Sequence, residues 1–180
     1  MNTRSPPAPV AVWDLFVRCF HWALVVCVVG NQFITEDGEL AHQVLGYTAT
    51  TLVLARIVWG FVGSRHARFS DFFPTPARLK AHLVSLRPSR SPATFHPGHN
   101  PLGALMMLSL MALVLALGMT GWMQSLDAWW GDETLQDVHA GLAQALLMLA
   151  AAHAVAALVM GRVERTTLVT AMVTGIKRRR

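Results

Sequence analysis

The sequence is short of what soluble domains rely on. Only 14% of its 180 residues are charged, against roughly 25% in an ordinary soluble domain. It has two cysteines, Cys19 and Cys27, both inside one apolar run. Eight residues apart on a helix, they stand too far apart along the axis to bridge. Neither belongs to a Cys-x-x-Cys-His stretch, which excludes covalent attachment of a c-type haem, and both read as small apolar packing groups. Asp and Glu are missing from every long apolar run, and Lys and Arg are missing from two of the connections between runs.

What is present is mostly apolar. The chain is 53% hydrophobic with a net charge of +5, which suits a protein whose charges are crowded outside its apolar segments. Those segments fall at about 15–34, 42–62, 101–123 and 139–160. Each holds about 20 residues, enough at about 1.5 Å per residue to cross a hydrocarbon core of about 30 Å. They are apolar on every face, with no charged stripe, which argues against a soluble bundle. Trp13, Trp22, Trp59, Trp122, Trp129 and Trp130 stand at or near the segment ends, as interfacial aromatics do. The stretch from Met1 to Pro9 is polar and proline-rich, and the first apolar run starts late without a small-residue cleavage site. A retained first helix is expected there, not a signal peptide. The expected fold is all-α: one integral membrane four-helix bundle over residues 1–180.

The charges outside the spans sort by side. The loop 63–100 carries Arg65, Arg68, Arg78, Lys80, Arg87 and Arg90 against a single acid, Asp71. The tail 161–180 carries Arg162, Arg165, Lys177, Arg178, Arg179 and Arg180. The other two connections hold Glu36, Asp37 and Glu39, then Asp127, Asp132, Glu133 and Asp137. By the positive-inside rule both termini and the long loop are cytoplasmic in a multi-pass inner-membrane protein. A basic surface beside a bilayer attracts anionic lipid, and nucleic acid is not the expected partner. Within the loop a short helix is expected over Pro76–Leu86, followed by a proline- and serine-rich stretch. From Glu164 to Ile176 polar and apolar residues alternate at helical spacing, which predicts an amphipathic helix on the cytoplasmic surface.

Eight histidines divide into two sets. His66, His82, His96 and His99 lie in the polar loop and are expected to be solvated or interfacial. His21, His42, His139 and His153 lie inside or at the edges of the spans, where an ionisable residue marks a functional site. The topology sets their depths. His21 and His153 lie near the cytoplasmic ends of spans 1 and 4, and His42 and His139 open spans 2 and 4 at the opposite face. Two layers of two histidines suit bis-histidine ligation of two haems in a bundle. His139 and His153 are 14 residues apart, so both leave one helix face about 21 Å apart along the axis. Ala143, Leu146 and Ala150 lie between them, mostly small residues that leave room for a flat macrocycle, and Gly46 and Ala49 follow His42 on its own face.

Arg56 is the one charged residue deep in a span, 14 residues after His42 and therefore at the cytoplasmic layer. A haem propionate, or an adjacent quinone, is its natural partner. Arg18, one turn before His21, suits a propionate or simple snorkelling to the interface equally. Zinc or non-haem iron would want four or more ligands at one depth, and each layer offers two.

The motifs resemble the bacterial cytochrome b561 and nickel-hydrogenase cytochrome b family. The matching stretches are Asp14-Leu-Phe-Val-Arg-Cys-Phe-His-Trp22, His42-Gln-Val-Leu-Gly-Tyr47 and Arg56-Ile-Val-Trp-Gly-Phe-Val-Gly-Ser-Arg-His-Ala-Arg-Phe69. The likeness continues through His99-Asn-Pro-Leu-Gly-Ala104, Val138-His-Ala-Gly141 and Leu168-Val-Thr-Ala-Met-Val-Thr-Gly-Ile-Lys177. It implies a four-helix cytochrome with two haem b groups that exchanges electrons with the quinone pool. It also implies that His21 pairs with His153 and His42 with His139. Electron transfer between a redox partner and quinone is the leading expectation. One rival is a superoxide oxidase that reduces ubiquinone, which the acidic outer loops disfavour because they repel an anion. Another is a membrane-anchor subunit of a hydrogenase-like or other redox complex. The acidic outer face offers a docking surface for a c-type cytochrome or another redox protein.

Overall fold

A computed structural model describes residues 10–85, 98, 100–163 and 166–177. Among the described residues the chain is all-α apart from one two-stranded pairing. Four long helices run over Leu15–Phe33 (α1), Leu40–Val62 (α2), Pro101–Gln124 (α5) and Glu133–Val163 (α6), and each is long and apolar enough to cross a membrane. Short helices lie at Phe69–Phe72 (α3), Pro76–Ser85 (α4) and Leu168–Thr174 (α7). Strands β1 (Val10–Ala11) and β2 (Ile176–Lys177) pair antiparallel. The molecule is an integral membrane helical bundle, and its large exposed apolar residues, among them Val26, Phe61 and Met148, suit lipid rather than water.

The ends of the long helices follow from local chemistry. Asp14 caps α1, accepting the Val17 N–H at 2.8 Å. Asn100 caps α5 through the Gly103 N–H at 2.7 Å, with Pro101 in the first helical position, where no donor is needed. Asp132 caps α6 through the Leu135 N–H at 2.7 Å, just after Gly131 at φ 76°. That cap starts α6 six residues before His139, so His139 does not open the helix as the hydropathy suggested. The extra turns carry exposed Glu133, Gln136 and Asp137, polar positions that an apolar window does not count.

The described residues form two compact units. The middle unit comprises 19–58 and 106–152; the terminal unit comprises the chain up to 18, 59–105 and 153 onward. In the middle unit the helices approach through small residues, the usual packing device where lipid surrounds the helices. A side chain at Gly30 would meet Leu45 Cδ1 at 2.9 Å, and one at Gly118 would overlap the Thr50 hydroxyl. Cys27, Ala49, Val53, Met111, Val114 and Leu146 fill the interior, so Cys27 is a packing group as expected.

In the terminal unit one carboxylate gathers several segments. Beyond its cap, Asp14 accepts the Trp59 Nε1–H at 3.0 Å and the Ser64 hydroxyl at 2.5 Å, while Phe16 stacks on Trp59 at 4.7 Å. Trp13, Trp59 and Trp122 do lie close to helix ends, but Trp22 is two turns inside α1 and exposed. The short loop helix ends within a residue of expectation, at Ser85, and Leu86 lies outside the described residues. So do His96, His99, Arg87, Arg90 and the proline- and serine-rich stretch. Two loop histidines differ from the solvated reading. His82 is buried at 6% exposure, and His66 bonds Asp71 Oδ2 at 3.0 Å with Gly98 against the pair, because the loop folds back on itself.

The C-terminal segment is helical over only seven residues. Gly175, left-handed at φ 80°, stops α7, and the chain then extends as β2 beside β1. Val10 faces Lys177 and Ala11 faces Ile176, and the Val12 and Trp13 N–H groups donate to the Gly175 carbonyl at 2.9 and 3.2 Å. Glu164, Arg165 and the terminal Arg178, Arg179 and Arg180 lie outside the described residues.

Asp14→Ala removes a helix cap and two further hydrogen bonds. We expect a loss of about 2 kcal/mol, read as a lower thermal midpoint in detergent, with Ser64→Ala losing less than half as much.

Candidate functional site

The site begins with one face of α2. His42, Gly46, Ala49, Val53 and Arg56 recur at spacings of three and four and so share that face. Ala49, Val53 and Arg56 are 6%, 0% and 1% exposed, so it is the inward face. Arg56 is the bulkiest fully buried side chain among the described residues. His42 stands two residues from the start of α2, half-buried, at the other end of the stripe.

Opposite His42, α6 presents His139. Both belong to the middle unit, and their ring centres are 6.3 Å apart with planes at 58°. The two rings are held differently. His139 Nδ1 lies 2.8 Å from the Thr120 hydroxyl on α5. Its Cε1 edge lies against Gly121, where an added Cβ would stand 3.4 Å away. His42 Nδ1 is buried and has no hydrogen bond among the described residues; Asp37 Oδ1, on a fully exposed carboxylate, is 4.0 Å away.

The remaining predicted residues are placed one by one. His21, in the middle unit, is half-buried on α1 with its ring edge-on to Trp22 at 5.2 Å. His153 belongs to the terminal unit and is half-buried on α6. Arg18 donates from Nη1 to the Val173 carbonyl at 2.8 Å, tying α1 to α7 within the terminal unit. Gly46 faces Asn31 of α1, whose Nδ2 would stand 3.6 Å from an added Cβ. Among the described residues no three His, Cys, Asp or Glu side chains converge on one point.

Residues 12–175 match the sequence model of the family described as prokaryotic cytochrome b561. The chain belongs to this family. It is 31% identical over 175 residues to a probable Ni/Fe-hydrogenase B-type cytochrome subunit of Azotobacter vinelandii, covering 72% of this chain and 71% of that one. A protein of the same description from Bradyrhizobium diazoefficiens is 26% identical over 92% of this chain and 85% of its own length. A probable Ni/Fe-hydrogenase 1 B-type cytochrome subunit of Escherichia coli is 25% identical over 61% and 57%. No solved structure matches the chain.

Membership of a b-type cytochrome family carries haem b as cofactor and electron transfer as function class. The spacing of His42 and His139 is compatible with that cofactor. Two imidazoles that hold one metal, each through a bond of about 2 Å with its ring centre about 1.1 Å beyond the nitrogen, would have centres up to about 6.2 Å apart. The 6.3 Å between the ring centres of His42 and His139 lies close to that value. The Thr120 contact occupies Nδ1 of His139 and leaves Nε2 as the nitrogen for a metal.

Sequence reasoning did not find Thr120 or Gly121. A signal existed: Thr120 is a hydroxyl residue one turn before the end of an otherwise apolar helix, at the same end of the bundle as His139. Many threonines in membrane helices merely bond their own backbone, as Thr50 does to the Gly46 carbonyl at 2.9 Å, and this conceals the exception.

Gly121→Ala makes only ordinary contact with the His139 ring, whereas Gly121→Leu displaces it. The alanine variant should keep the full reduced-minus-oxidised b-type absorbance per protein, and the leucine variant should lose a measurable share of it.

Proposed function

We propose that this chain is a dihaem b-type cytochrome that passes electrons between a redox partner protein and the membrane quinone pool. The facing pair of His42 and His139, with ring centres 6.3 Å apart, is the observation that carries the proposal. In this reading His42 and His139 hold one haem from α2 and α6. His21 and His153 hold the other, and the chain supplies one face of α6 to both. When bound, each haem supplies a one-electron ferric/ferrous couple, with bis-histidine ligation leaving no open position for added chemistry.

The chain's own residues do the rest. Apolar helices flank the half-buried imidazoles, and helix backbones hold each ring in place. Arg56, in a buried setting that favours an anionic partner, is assigned to a haem propionate or to quinone at the cytoplasmic layer. Arg18 serves as a second cation there and also ties α1 to α7. Gly46 and Ala49 leave room on the α2 face. Both termini and the loop 63–100 are cytoplasmic, and the acidic connections face the other side.

The descriptions of the relatives favour a protein partner, such as a hydrogenase-like or other redox enzyme, for which this chain is the membrane subunit. The acidic connections suit a basic docking face, including that of a c-type cytochrome.

Four single variants test the ligand assignment. His42→Ala and His139→Ala should each remove one haem, and His21→Ala and His153→Ala the other, measured as haem per protein together with the potential of the couple that remains. Retention of both haems in all four refutes it. For orientation, a single cysteine placed at Asp37 in a cysteine-free background should react with an impermeant maleimide from outside intact cells. One placed at Asp71 should react only after lysis. The reverse pattern overturns the topology.

A further inference from the structure

Thr120 does more than close a hydrogen bond along its own helix. Its hydroxyl lies 2.9 Å from the Ala116 carbonyl and 3.2 Å from the Leu117 carbonyl, as well as 2.8 Å from His139 Nδ1. A hydroxyl has one proton, and both carbonyls can only accept. With the proton directed to the helix carbonyls, the oxygen is free to accept from the imidazole. In that arrangement His139 carries its proton on Nδ1 and presents Nε2 as a lone pair. The hydroxyl thereby selects a tautomer that the ring would not otherwise be bound to hold.

Two further observations argue that the α5 segment is a seat for this ring. Gly121 follows Thr120 directly, and its missing side chain leaves the His139 Cε1 edge 3.4 Å from where a Cβ would be. His42, its partner across the pair, differs: its Nδ1 has no hydrogen bond among the described residues, and the exposed Asp37 carboxylate stands 4.0 Å away. One ring is thus fixed by a neutral acceptor inside the bundle, and the other stands beside a solvated charge.

We propose that Thr120 is a positioning residue for His139 that fixes its tautomer and lowers the potential of the outer haem. This rests on the reading above in which His139 is a haem ligand. An acceptor on Nδ1–H draws the proton outward and makes Nε2 the stronger electron donor, which favours the ferric state. Removing the acceptor should therefore raise the potential.

The experiment is redox titration of purified wild-type, Thr120→Val, Thr120→Ser and His139→Ala proteins in detergent. Valine keeps the shape and loses the hydroxyl. We expect Thr120→Val to retain both haems and to shift one couple about tenfold toward the ferrous form, or about 59 mV upward for one electron. The couple that shifts should be the one missing from His139→Ala. Thr120→Ser should restore the wild-type value, which a merely structural role for the methyl group would not predict. An unshifted or lowered couple in Thr120→Val, or a serine variant that behaves like valine, overturns the role of Thr120. Retention of both haems in His139→Ala instead overturns the ligand reading beneath it. A measurement on the unaltered protein guards against a valine variant that fails to assemble. Redox-difference infrared spectra of histidine-labelled protein should contain an imidazole band of a hydrogen-bonded Nδ1–H, and its absence overturns the proposal.

Discussion

Hydrocarbon offers no water to a polar group, so every donor and acceptor within the four long helices must find its partner in the protein. That constraint organises the molecule. Just outside the long helices, Asp14 gathers a helix cap, an indole and a hydroxyl from well-separated parts of the chain. Within them the constraint turns threonine hydroxyls back onto their own helix carbonyls, as at Thr48, Thr50 and Thr51. Where the constraint is met across helices rather than within one, as between Thr120 and His139, a side chain is held in a chosen orientation.

Close helix approach follows from the same solvent. Lipid is as apolar as a leucine side chain, so burial alone does not draw two membrane helices together, and small residues that let them pack closely matter more. Gly30 against Leu45 and Gly118 against Thr50 bring α1, α2 and α5 together in the middle unit. Gly121 against His139 joins α5 to α6 in the same way. The approach of His42 to His139 is made between helices already held by such contacts.

The four spans were legible because length and apolarity are properties of a segment alone, and three of the helices match their expected ends within about two residues. α6 was the exception, since its first turns are polar and only the Asp132 cap after Gly131 reveals the true start. The tail was read from its alternation as a longer amphipathic helix. Gly175 ends it after seven residues, and the strand that follows depends on a partner at the other end of the chain. His66 and His82 look solvated in a polar loop, yet short helices fold them into contact or burial. Periodicity placed His42, Gly46 and Ala49 on one face of α2, and burial identified that face as the inward one.

By itself the sequence determined the all-α membrane class, the identity of the embedded histidines and the family. Hydropathy, helical spacing and motif order all lie along the chain. Only the tertiary structure decided that the His42 and His139 rings stand 6.3 Å apart, and that Thr120 and Gly121 contact one of those rings. Those relations join residues on different helices, and nothing in the spacing along one helix records how a neighbouring helix is turned.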